Sequence, residues 1–147
     1  MLVRVQGTSE RSGCDYKLNL VLPVLYLDDT NYTISLRSIM MDCHKGAKVL
    51  GNGFLDNYWS LKTTAIDRSA TNPNQVMATF ASDCQYNSSS AVVGDCLIIY
   101  EPSIKQEYKL QLTSFHTAEF VLTQFKEDLL DIKAVEILFE FKKYARI

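Results

Sequence analysis

Few residues in this chain are equipped for chemistry. There are two histidines, His44 and His116, and four cysteines, Cys14, Cys43, Cys84 and Cys96. A Ser-His-Asp triad needs a base held against a nucleophile, and no G-x-S-x-G elbow is present to present one. His116, in "TSFHTAEF", reads as an exposed turn residue between two strands. Cys43 and His44 are adjacent, and adjacent residues in an extended segment point to opposite sides, so they make no nucleophile pair by themselves. Structural zinc draws on close pairs, because two ligands from one turn fix a tetrahedral geometry. No C-x-x-C and no H-x-H occurs, so neither a zinc site nor a cupin-like cluster is expected.

The acidic pairs are Asp28-Asp29 and Glu127-Asp128. Calcium loops space their acids at alternate positions, which neither pair does. Asp28-Asp29-Thr30-Asn31 reads as turn chemistry, with side chains satisfying nearby backbone groups. The "GNG" at 51–53 lacks the Lys-Ser/Thr that follows a phosphate-cradling loop. The expectation is a non-enzyme with no catalytic, cofactor-binding or metal-binding residues.

One polar cluster stands out, "DRSATNP" at 67–73, between two strand-like runs. Asp67 and Ser69 can accept bonds from backbone N–H groups across a tight corner, and Arg68 can reach a carboxylate or carbonyl. Pro73 ends ladder pairing and biases Asn72 toward an extended conformation, so that Gln75 opens the next strand. The reading preferred is a self-capped corner; the alternative is an exposed Arg68 contacting a neighbouring subunit.

These residues sit on a chain of 147 residues with 47% hydrophobic content, enough for one domain with its own core. Net charge is -2, and no basic run exceeds Lys142-Lys143, so direct nucleic-acid binding is not expected. The longest apolar runs, such as Leu20–Leu27, fall well short of the ~20 residues of a membrane helix. Arg4 interrupts the first apolar stretch and polarity begins at Gln6, which predicts no signal peptide. Residues 1–13 are expected as a flexible N-terminal arm, and 14–147 as the single domain. Reduced core thiols are expected, with a Cys84–Cys96 bridge across a loop as the other option. The sequons at Asn31 and Asn87 decide nothing.

Period-two alternation predicts eight strands. It runs through "YKLNLVLP", "NYTISLRS", "YWSLKTT", "QVMATFAS", "EYKLQLTS", "AEFVLTQF" and "VEILFEFKK", while "DCLIIYE" is continuously apolar. Polar, turn-rich stretches separate them. Val121, Phe125, Leu129 and Ile132 fall at helical spacing and predict a short helix near 126–132, with a second helix or loop at Met41–Leu50. The fold class is all-β, an eight-stranded antiparallel β-sandwich with a jelly roll as leading topology. An immunoglobulin-like sandwich is second: Cys43 and Cys96 bracket Trp59, but Cys43 lies in a loop-like stretch.

The segment "LKTTAIDRSATNPNQVMATF" and the closing "AVEILFEFKK" resemble single jelly-roll viral capsid proteins. The resemblance is to the minor capsid or penton type of polinton-like and related double-stranded DNA viruses. It implies two four-stranded sheets, the first, third, sixth and eighth strands in one and the second, fourth, fifth and seventh in the other. It further implies a virion structural protein assembled inside the host cell, a pentamer or trimer that also contacts other capsid proteins. Residues 1–13 would tether a neighbour, and Leu138 and Ile98–Tyr100 would supply contact surface. The alternative is a non-catalytic β-sandwich binding module for carbohydrate or receptor, with Phe54, Tyr58 and Tyr86 stacking on the ligand.

Overall fold

A computed structural model describes residues 1–25, 27, 31–45, 58–81, 94–112, 114–124 and 130–143. They form nine strands: β1 (Leu2–Ser12), β2 (Asp15–Leu20), β3 (Tyr32–Lys45), β4 (Tyr58–Thr63), β5 (Val76–Ala81), β6 (Gly94–Tyr100), β7 (Tyr108–Lys109), β8 (Phe120–Gln124) and β9 (Leu130–Lys143). The strands run in the order β5-β4-β8-β2-β1-β9-β3-β6, every pairing antiparallel, with the two-residue β7 added on β3.

Divided between β2 and β1, that order falls into two halves of four, β5-β4-β8-β2 and β1-β9-β3-β6. With β7 set aside, the first, third, sixth and eighth strands make one half and the rest the other, which is the jelly-roll order. The strands filling those places are not all the ones sequence patterning picks out. Residues 1–13 are no free arm. Leu2–Gly7 pairs with β9, and Gly7–Ser12 pairs with β2. Val3 and Val5 point into the core while Leu2, Arg4 and Gln6 face out. Only two inward apolar residues mark this strand, too few for alternation to reveal it.

Gly7 is the point where β1 passes from one half to the other, paired with Val135 of β9 and Leu20 of β2. A Cβ there would run into the Asn19 carbonyl and lie 2.8 Å from the Leu20 Cα. The close approach needs glycine. Gly13, at φ 62, turns the β1–β2 hairpin in the left-handed region.

Three further expectations change. Among its described residues "EYKLQLTS" is strand only at Tyr108–Lys109. Beyond it, Leu110 donates to the Tyr32 carbonyl and Gln111 to that of Ala65, so the backbone bonds divide between β3 and the corner after β4. Leu130–Ile132, the end of the expected helix at 126–132, belongs to β9; positions 126–129 lie outside the described residues. Met41–Lys45 continues β3, and 46–50 lie outside the described residues. Short apolar runs fit either period, and tertiary pairing decides between them.

Phe115, on a 3₁₀ turn (Phe115–Thr117), centres the core. It meets Phe120, Phe139 and Phe141 edge-on, with ring centroids 6.1, 5.9 and 5.1 Å away. Such edge-to-face contacts suit the ring quadrupole. Tyr16 and Trp59 form a second pair at 5.4 Å in the other half. A register shift between Leu61 and Lys62 leaves Met77 of β5 unpaired. Met77 and Phe80 are then the buried members of β5, while Val76 and Ala78 are half-buried. The bulge overrides the simple alternation of Val76, Ala78 and Phe80.

Candidate assembly surface

The corner at 67–73 is built as a hydrogen-bonded bend. The Asn72 amide N–H donates to Ser69 Oγ at 3.0 Å. The Asn72 side chain accepts from the Val76 N–H and donates to the Val76 carbonyl, both at 2.9 Å. Among the described residues Asp67 caps no N–H; its carboxylate pairs with Lys109 Nζ at 3.8 Å. Arg68 is exposed and donates to Gln75 Oε1 at 3.4 Å.

The residue that anchors this corner is Gln75. It is buried, at φ 54, and its Nε2 donates to the Ile66 carbonyl at 2.7 Å and to Gln111 Oε1 at 3.3 Å. Its own carbonyl receives the Thr63 N–H. Nothing in the sequence marks it, because glutamine seldom occupies left-handed backbone and "NQV" reads as a strand opening.

The other chemically equipped residues that the structure describes sit on other elements. Cys43 is fully buried in β3, and burial, with the Asp42 charge beside it, pushes its thiol up to about 12. That is the environment of an inert thiol. His44 is half-buried on the same strand, and His116 is exposed on the 3₁₀ turn. No group of three or more His, Cys, Asp or Glu that could hold a metal occurs among the described residues. Asp28-Asp29, the "GNG" at 51–53, Cys84 and Glu127-Asp128 lie outside the described residues. Cys43 and Cys96 pair on neighbouring strands of one half, so these two are not placed as the inter-sheet bridge of an immunoglobulin domain.

What the strands do assemble is an apolar outer face on β1-β9-β3-β6. In register, Ile99, Met40, Glu136 and Gln6 lie in one row across β6, β3, β9 and β1, with Leu97, Asp42 and Ala134 in the next. Leu97 is 54% exposed, and Val21, held over this face where its N–H donates to the Gln6 carbonyl, is 81% exposed. Val21, Met40, Leu97 and Ala134 line a hollow of about 470 Å³ with Gln6 and Glu136 on its polar side. Arg4 pairs with Glu136 at 3.1 Å. Arg37 pairs with Glu140 at 3.5 Å. Two ion pairs thus lie on this face, and Asp42 joins Leu97 and Ala134 in lining the hollow, so the exposed apolar side chains share the face with a carboxylate.

Of the contact residues expected from sequence, Leu138 is half-buried on this outer face. Ile98 belongs to the core, Ile99 faces out, and Tyr100 stacks on Phe80. Leu97 and Val21 escape a reading based on broken alternation. Leu97 immediately precedes the Ile98–Tyr100 run, and Val21 follows the end of β2. Tyr58 opens β4 and is half-buried, while Phe54 and Tyr86 lie outside the described residues.

No family model matches this chain, and no curated protein does. Among solved structures, a chain from the crystal structure of tomato aspermy virus is similar, with a TM-score of 0.40 and 11% identity, covering 99% of this chain and 78% of that one. A likeness at that level leaves function to be argued from the surface itself.

Among the described residues, no helix is long and apolar enough to cross a membrane.

Proposed function

We propose that this chain is a structural subunit of a virion, a single jelly-roll capsid protein of the penton, minor capsid or shell kind. It acts by self-association and by contacts with other capsid proteins rather than by catalysis. The observation that carries this reading is the outer face of β1-β9-β3-β6, where Leu97 and Ile99 project from β6 and Val21 is held over the face by its bond to Gln6. Removing such side chains from water favours association at roughly 25 cal/mol per Å². Jelly rolls serve as viral capsid domains and as lectins. Lectin sites rely on polar loops with stacking aromatics, and an apolar strand face suits a protein neighbour better.

The test is the solution mass by light scattering over a concentration series at low and high salt. A closed oligomer, or growth with concentration that persists in high salt, supports assembly through apolar contacts. A strict monomer throughout overturns self-assembly and redirects the search to glycan or receptor binding.

A further inference from the structure

Among the rungs joining β3 to β6, one places two cysteines opposite each other. The pairs run Ile39 with Tyr100, Met40 with Ile99, Met41 with Ile98, Asp42 with Leu97, and then Cys43 with Cys96. We propose that Cys43 and Cys96 form a cross-strand disulfide under oxidising conditions, tying β6 to β3. The inference is independent of the assembly reading.

Residues directly opposite in an antiparallel pair have Cα atoms about 4.5–5.5 Å apart, and disulfides span about 4.4–6.8 Å. The register therefore satisfies the backbone requirement without moving either strand. Cys43 is a free thiol here, fully buried between Ile132 of β9 and Cys96 of β6 in its row. β6 is the last strand of the order, paired on one edge only among the described residues. An end strand opens more readily than an inner one, which gives an oxidant access. The bond would close a long loop, containing β4 and β5, between its two cysteines. Cross-links closing long loops restrict the unfolded chain most.

With oxidised glutathione as oxidant, one thiolate attacks the glutathione disulfide and releases a first reduced glutathione. The second cysteine then attacks the mixed disulfide and releases another. Two thiols lose two protons and two electrons, the protein gains one S–S bond, and the glutathione disulfide is reduced to two thiols. Burial keeps Cys43 protonated while the strands stay paired, so its attack on the mixed disulfide at Cys96 waits on opening of the end strand.

The experiment treats the whole chain with oxidised glutathione, quenches by acid, and maps peptides by mass spectrometry without reduction. The expected result is one peptide pair joined through Cys43 and Cys96, lighter by two hydrogens than the reduced pair, with glutathione absent from both. The oxidised protein should also unfold at a higher urea concentration than the reduced protein, and this shift should vanish in Cys96→Ser. Recovery of Cys43 as a free thiol, a Cys84–Cys96 bridge, or glutathione left on Cys96 would each overturn the proposal.

Discussion

The rings of Phe80 and Tyr100 stack 4.6 Å apart and 7° from parallel. They come from β5 and β6, the two strands at opposite ends of the strand order. The stack therefore joins the free margins of the two halves, where β5 and β6 do not pair with each other. Val76 and Ala78 of β5 face Pro102, Ile104 and Tyr108 across a hollow of about 270 Å³ at the same seam. A double-mutant cycle on Phe80→Ala and Tyr100→Ala should give a coupling of about 0.5–1.5 kcal/mol in urea denaturation. Additive losses would mean the rings do not hold the seam.

Gly7 and Gly13 should respond differently to the same change. Gly7→Ala drives a methyl into the Asn19 backbone and should cost about 2–4 kcal/mol. Gly13→Ala meets nothing within 4 Å, so only the left-handed backbone penalises it, by about 1–2 kcal/mol. Equal losses in urea would show that the crossing at Gly7 is looser than its contacts imply.

Gln75→Ala strands the buried Ile66 carbonyl and should cost about 1–3 kcal/mol. Arg68→Ala, at an exposed site, should stay within about 0.5 kcal/mol. The reverse ranking in chemical denaturation would move the weight of the corner from Gln75 to Arg68.

These contrasts mark how far the sequence could be read. Alternation in "YTISLRS" and "VEILFEFKK" located the first half of β3 and most of β9, since apolar residues recur at every second position in both. It failed at β1, where two valines carry the inward face and glycine and polar residues fill the rest. It failed again at "EYKLQLTS", where the period is clean but the backbone finds partners on two different elements. The corner was legible as a hydrogen-bonded bend because Ser and Asn there do what those side chains do in turns. Gln75 and the outer face were not, because burial of one and exposure of the other are set by distant strands.

Leu97→Glu should leave stability within about 0.5 kcal/mol, as the side chain is exposed. It should lower the mass seen by light scattering toward that of one chain, because a carboxylate in a dry contact is costly. An unchanged mass for both Leu97→Glu and Ile99→Glu would remove this face from the assembly.

Stability should fall at alkaline pH. The Cys43 thiol is raised from 9.0 to about 12 in the fold, so above 9 the unfolded chain loses that proton while the folded one keeps it. The folded state then binds more protons, and stability drops with rising pH by at most about 1.4 kcal/mol per unit across that window. Tyr108, raised by burial, and Lys142, raised by its bond to Glu107, act in the same direction. Comparison with Cys43→Ala isolates the thiol, and the variant should show a shallower decline in urea midpoint from pH 9 upward. Parallel curves would assign the decline to the other groups.

The pairing of β1 with β9 also bears on how the chain is made. The Phe141 N–H donates to the Met1 carbonyl at 2.8 Å, and Val3 lies opposite Phe139. A ribosome adding about 5–20 residues per second takes on the order of ten seconds to travel between those partners. Throughout that interval Leu2–Gln6 emerges with no mate, an open edge with valines on one side. The hairpin with β2 shelters only the residues from Gly7 onward. Slow translation would lengthen that exposure and a chaperone would shorten it, so soluble yield from cells should depend on both before any contact between finished subunits matters.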